Sequence, residues 1–180
     1  HRVPSLSADH PKYNPLGRYW QGGVWPGTNY MTIDGLYRKG YHDLAREIAA
    51  NHYAAVFEVW KNTGTFWEYY APEKIEPGFM ARKDFVGWTG LPPIAVFIEY
   101  ILGIKSDYSE GRIVWDINHT EAHGIERYPY GPDGVVGLKV KRRASAGETP
   151  SVSVETNVPF DLTVTWGDGR SRTVRVEKSG

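Results

Sequence analysis

Glu68 stands in the run Gly64-Thr65-Phe66-Trp67-Glu68-Tyr69-Tyr70, a carboxylate with two aromatic residues on either side. Burying a charge among rings is costly unless the group is paired, hydrogen-bonded or kept for chemistry, and the chemistry open here is that of a catalytic carboxylate. Two further loops carry groups that could join it: Tyr19-Trp20-Gln21-Gly22-Gly23-Val24-Trp25 and Asp84-Phe85-Val86-Gly87-Trp88-Thr89-Gly90. Trp20, Trp25, Trp67 and Trp88 offer flat amphipathic faces for stacking, although each alone could equally plug the core beneath a loop. Gly22, Gly23 and Gly87 permit turns or a close backbone approach to a ligand.

The elements that must position these loops are helical. Pro26 suits a first helical turn, Tyr30, Ile33 and Tyr37 follow at spacings of three and four, and Gly40 offers a left-handed stop. A second helix begins near Asp43, carries Leu44, Ile48, His52, Ala55, Val56 and Val59 on one stripe, and ends before Asn62 to Gly64. A third runs from Pro92-Pro93 to Leu102, where Gly103 stops it. The short link between the first two helices makes them antiparallel neighbours. If the third is antiparallel to the second, all three aromatic loops meet at one end of the helical layer. Three helices do not close so aromatic an α domain alone, so an edge of this layer is expected to pack on an absent partner.

After about Ser106 the period changes to two. Arg112 to Ile117, Val135 to Val140, Ser151 to Thr156, Asp161 to Trp166 and Thr173 to Glu177 alternate, separated by turns such as Gly131-Pro132-Asp133-Gly134 and Gly167-Asp168-Gly169. The division expected is therefore residues 1–106 as a helical segment and 107–180 as a β-rich appendage.

Composition narrows the function classes. The 180 residues hold 21 Lys plus Arg and 21 Asp plus Glu, a balance that gives no field for nucleic acid or an anionic membrane. The basic run Lys139, Lys141, Arg142 and Arg143 falls in an alternating stretch and reads as a solvated face. Seven Trp and 12 Tyr suit a surface that stacks on flat, weakly polar faces, although such rings also fill ordinary cores; sugar rings and nucleobases both qualify, and the neutral charge disfavours the second. There is no Cys, so neither a disulfide framework nor a thiolate metal site is available, and the compartment is left open. No apolar stretch approaches the roughly 20 residues that span a bilayer. His10, His42, His119 and His123 have no metal-ligand spacing with nearby carboxylates, His52 reads as a hydrogen-bonded helix residue, and no metal or cofactor is expected. Neither a phosphate-binding Gly loop nor a G-x-S-x-G elbow is present, which disfavours phosphoryl transfer and serine hydrolysis. Asn118-His119-Thr120 is a formal glycosylation sequon too short to place the protein outside the cell. The start at His1, without Met or a signal pattern, leads us to expect a larger gene product.

Taken in order, the motifs resemble the C-terminal part of the (α/α)6-barrel glycosidases related to trehalases and mannosyl-oligosaccharide glucosidases, glycoside hydrolase families 37 and 63. The resemblance is carried by Tyr19 to Pro26 with Thr28-Asn29-Tyr30, by Gly40-Tyr41-His42-Asp43-Leu44-Ala45, by Gly64 to Tyr70 and by Asp84 to Gly90, and spans about residues 1–105. It implies an α-helical fold, the end portion of an (α/α)6 toroid, followed by a small antiparallel β appendage. It also implies an inverting hydrolase of α-glucosides such as trehalose, glucosyl-oligosaccharides or glycosylglycerates. Glu68 matches the family's general base, while Trp20, Gln21, Trp25 and Trp88, with Trp67 beside the base, would bind the sugar. No position matches the family's acid aspartate, so the partners implied are the carbohydrate substrate and the missing N-terminal part of the barrel, without which the segment would be inactive. The competing readings are a non-catalytic carbohydrate-binding or structural module and a helical protein-interaction surface that uses its tryptophans.

Overall fold

The computed structural model describes residues 3–179. The chain divides into two compact units, one ending at Ile101 and the other beginning at Leu102. In the first, α1 (Pro26–Arg38) and α2 (His42–Thr63) form where the 3.6 period places them. Pro26 opens α1, and the chain leaves it through Gly40 at φ 85°, where the Tyr41 N–H reaches back to the Leu36 carbonyl at 3.0 Å. Gly64, at φ 70°, ends α2. A third helix, α3 (Pro92–Ile101), is wound in the wider π geometry, with the Val96 N–H donating to the Leu91 carbonyl five residues back.

Ile33, Ala45, Ile48, Ala49, Val96 and Tyr100 form the core that joins the three helices, and a second cluster of Val24, Val56, Val59 and Tyr70 lies under the loops. The buried stripe of α2 runs through Ala45 and Ala49, while Leu44, expected on it, is exposed. Tyr30 and Tyr100 donate hydrogen bonds from α1 to Glu99 and from α3 to Asp34, both at 2.9 Å. Phe97 stacks on Tyr53, while Pro92 and Pro93 lie beside Val56 and Trp60, so α3 runs antiparallel to α2. The start of α1, the end of α2 and the start of α3 therefore share one end of the layer.

Among the described residues the second unit holds seven strands: β1 (Ile104–Asp107), β2 (Arg112–Ile117), β3 (His123–Tyr130), β4 (Gly134–Val140), β5 (Val152–Thr156), β6 (Phe160–Trp166) and β7 (Arg170–Val176). They form a four-stranded sheet in the order β1-β2-β6-β7 and a three-stranded sheet in the order β3-β4-β5. The alternation of β2, β4 and β6 turns Ile113, Trp115, Ile117, Val136, Leu138, Phe160 and Leu162 into a common core, where the Tyr130 and Phe160 rings approach to 5.5 Å.

This architecture corrects the expected fold class. Helix makes up 27% of the chain and strand 29%, in two sheets, so the fold is mainly β and is not the end of an α-helical toroid with a minor appendage. Nor is the β unit wholly antiparallel: β2 and β6 run parallel, in register from Arg112↔Asp161 to Ile117↔Trp166. The reason is topological. Between them the chain builds the whole second sheet, and that excursion is the crossover a parallel pair requires.

Arg143 is also corrected. It is buried, and its guanidinium donates to the carbonyls of Ile117, His119, Ala146 and Glu148 at 2.9–3.0 Å. Lys139, Lys141 and Arg142 remain solvated. No helix is long and apolar enough to cross a membrane among the described residues.

Candidate functional site

The three aromatic loops meet. Val24 and Tyr70 exchange backbone hydrogen bonds at 2.9 and 3.0 Å, which ties the loop before α1 to the loop after α2. The third loop is tied to the second by the Phe85 N–H on the Phe66 carbonyl at 3.1 Å and the Glu68 N–H on the Arg82 carbonyl at 3.0 Å. Tyr19 and Asp84 take left-handed conformations, φ 50° and 56°, that side chains rarely adopt. Such strain is held only where surrounding bonds over-determine it, and it concentrates at functional sites. The Asp84 carboxylate accepts the Thr65 hydroxyl at 2.7 Å.

A stack of rings forms the wall. Trp20 lies on Trp25 with centroids 4.4 Å apart, and Trp25 lies on Tyr69 at the same distance. Tyr19 meets Trp25 edge-on at 5.1 Å, and Trp88 approaches it at 5.8 Å. Trp25 is the buried centre, whereas Trp20 and Trp88 keep 49% and 40% of their surface exposed. Gly23 makes this approach possible, because a Cβ there would meet the Tyr69 ring at 3.0 Å and overlap the Tyr19 carbonyl.

Of the residues singled out in the sequence, Trp20, Trp25 and Trp88 thus come together. Gln21 sits half-buried in the tight turn between Trp20 and Gly22, its N–H donating to the Arg18 carbonyl at 2.9 Å. Trp67 turns the other way: it packs on the Val24, Val56, Val59 and Tyr70 cluster, and its indole N–H goes to the Thr63 hydroxyl at 3.0 Å. Glu68 is half-buried, adjacent in the chain to the Tyr69 ring and bonded through its carbonyl to the Trp88 indole at 2.7 Å.

Sequence reasoning assigned no role to Tyr19 or Tyr69, although both lie within the quoted motifs. Burial raises the Tyr69 phenol above its ordinary pKa and the Glu68 charge adds to the shift, so its hydroxyl stays protonated and donates to the Phe79 carbonyl at 2.8 Å. The arrangement is a carboxylate on a backbone fixed from both sides, next to a graded aromatic wall. Such a site can stack on a flat, weakly polar ligand and move a proton beside it.

Residues 1–86 match the family of the mannosylglycerate hydrolase MGH1-like glycoside hydrolase domain. The chain is related to the glycoside hydrolases, and the relationship lies in the unit that carries these loops. A probable mannosyl-oligosaccharide glucosidase of Schizosaccharomyces pombe is 34% identical over 99 residues, which cover 49% of this chain and 12% of that protein. The mannosylglycerate hydrolase MGH1 of Selaginella moellendorffii is 41% identical over 70 residues, 39% of this chain and 13% of that one. The mannosylglycerate hydrolase of Thermus thermophilus is 36% identical over 70 residues, 39% of this chain and 15% of that one. The aligned stretch thus spans only about an eighth of the length of these relatives. No solved structure matches the chain.

Proposed function

We propose that the first unit supplies the general base and part of the sugar-binding wall of an inverting glycoside hydrolase acting on α-glycosides of the glucosyl-oligosaccharide or glycosylglycerate type. The observation that carries this reading is the placement of Glu68 where three loops converge, with its backbone bonded on both sides and the Trp20–Trp25–Tyr69 stack alongside. The names of the relatives, mannosyl-oligosaccharide glucosidase and mannosylglycerate hydrolase, support the substrate class.

In this mechanism Glu68 takes a proton from a water molecule as the water attacks the anomeric carbon. A second carboxyl group, roughly 6.5–9.5 Å away across that water, protonates the leaving oxygen. No position in this chain matches that acid, and we place it in polypeptide joined to or partnered with this segment. Trp20 and Trp88 stack on the sugar and exclude bulk water, and Gln21 binds a sugar hydroxyl.

The test is Glu68→Gln in the longest polypeptide that contains this chain and turns over trehalose, glucosyl-oligosaccharides, glucosylglycerate or mannosylglycerate. The variant should lose about a hundred- to ten-thousand-fold in kcat with little change in KM. Turnover near the wild-type rate would exclude the base role. Sugar-dependent tryptophan fluorescence with no turnover in any form would instead identify a carbohydrate-binding module.

A further inference from the structure

Thr89 is fully buried, yet it carries a hydroxyl where Val would fill the same space. Its Oγ1 donates to the Trp67 carbonyl at 2.7 Å, while the neighbouring Trp88 indole donates to the Glu68 carbonyl, also at 2.7 Å. Both donors sit in one tight turn, Trp88–Gly90, so two consecutive side chains hold two consecutive carbonyls. The Arg82 carbonyl takes the Glu68 N–H from the other side. The peptide groups before and after the Glu68 Cα are therefore both fixed, and with them the direction in which its side chain leaves the backbone.

We propose that Thr89 is a positioning residue for Glu68: through the Trp67 carbonyl it holds the peptide plane that aims the carboxylate, without touching substrate. The inference rests on the reading of Glu68 as general base. Trp88 contributes to the same clamp, but its exposed ring also belongs to the sugar wall, so replacing it would mix binding with positioning. Thr89 has no exposed surface and separates the two.

The experiment compares Thr89→Val, Thr89→Ser and Glu68→Gln in the turnover-competent polypeptide. Thr89→Val keeps the shape and removes the donor, so the carboxylate loses its fixed aim; kcat should fall about ten- to a hundred-fold with KM within about two-fold. Thr89→Ser keeps the donor and should return kcat to within about three-fold of wild type. A role in packing alone would give the opposite order, with Val tolerated and Ser impaired by its missing methyl group. If Thr89→Val turns over normally while Glu68→Gln is inactive, the positioning role fails and the base reading stands. If Glu68→Gln keeps full turnover, both fall.

Discussion

His52 gives the first unit a pH dependence whose size follows from its burial. The ring projects from α2 and is fully buried, and desolvation pushes its pKa down to about 3 from the ordinary 6.5. Above pH 6.5 the ring is neutral in folded and unfolded chains alike, and its contribution to stability is fully present. As pH falls below 6.5 the unfolded chain binds a proton that the folded chain refuses, so this stability is lost progressively toward the folded pKa. At pH 5, 1.5 units below the unfolded value, the loss is RT ln(1 + 10^1.5), about 2 kcal/mol; the figure requires only that the folded pKa lie well under 5. The assay is urea unfolding of the full chain at about pH 7.5 and about pH 5, with hydrogen exchange of the α2 amides as the local reporter. His52→Leu, of similar volume, provides the reference. His123, whose pKa is also lowered by burial, is present in both proteins and cancels in the difference. Wild type should lose about 2 kcal/mol more than the variant between the two conditions. Equal losses would refute the argument that the fold accepts only the neutral ring.

Two other substitutions test each unit separately. In the first, Gly23→Ala should destabilise by about 1–3 kcal/mol and abolish any sugar-dependent tryptophan fluorescence, because its Cβ would overlap the Tyr19 carbonyl that also accepts the Trp25 indole at 3.3 Å; thermal melts and ligand titration check both. In the second, Arg143→Lys keeps the charge but cannot reproduce a planar fork serving four carbonyls, and should lower stability by at least about 2 kcal/mol, seen as faster exchange of the β2 and β4 amides.

Legibility in the sequence followed the regularity of the local pattern. Helices α1 and α2 show a 3.6 period bracketed by Pro26, Gly40 and Gly64, and their ends fall where those residues set them. Five of the strands alternate openly. β1 does not, because its four residues, set off from α3 by only Leu102 and Gly103, are too short a run to show a period. β3 is hidden by Pro129 and by a bulge between Ile125 and Tyr128 that breaks the period of two. Arg143 was misread because a basic residue in a basic run looks solvated, and only the carbonyls gathered from distant loops make its burial favourable.

The sequence by itself determined which side chains could do chemistry: a carboxylate among aromatics, two more aromatic loops, and the helix ends and short link that bring them to one place. Local periodicity and turn residues suffice for that. The tertiary structure alone decided where each of those side chains sits. Trp67 and Glu68 are neighbours in the chain, but one ring packs into the core while the other residue is held at the wall. Trp20 and Trp88 remain open and Trp25 is enclosed between them. The parallel pairing of β2 with β6, and with it the mainly β character of the chain, likewise depends on contacts between residues far apart in sequence, which no local pattern encodes.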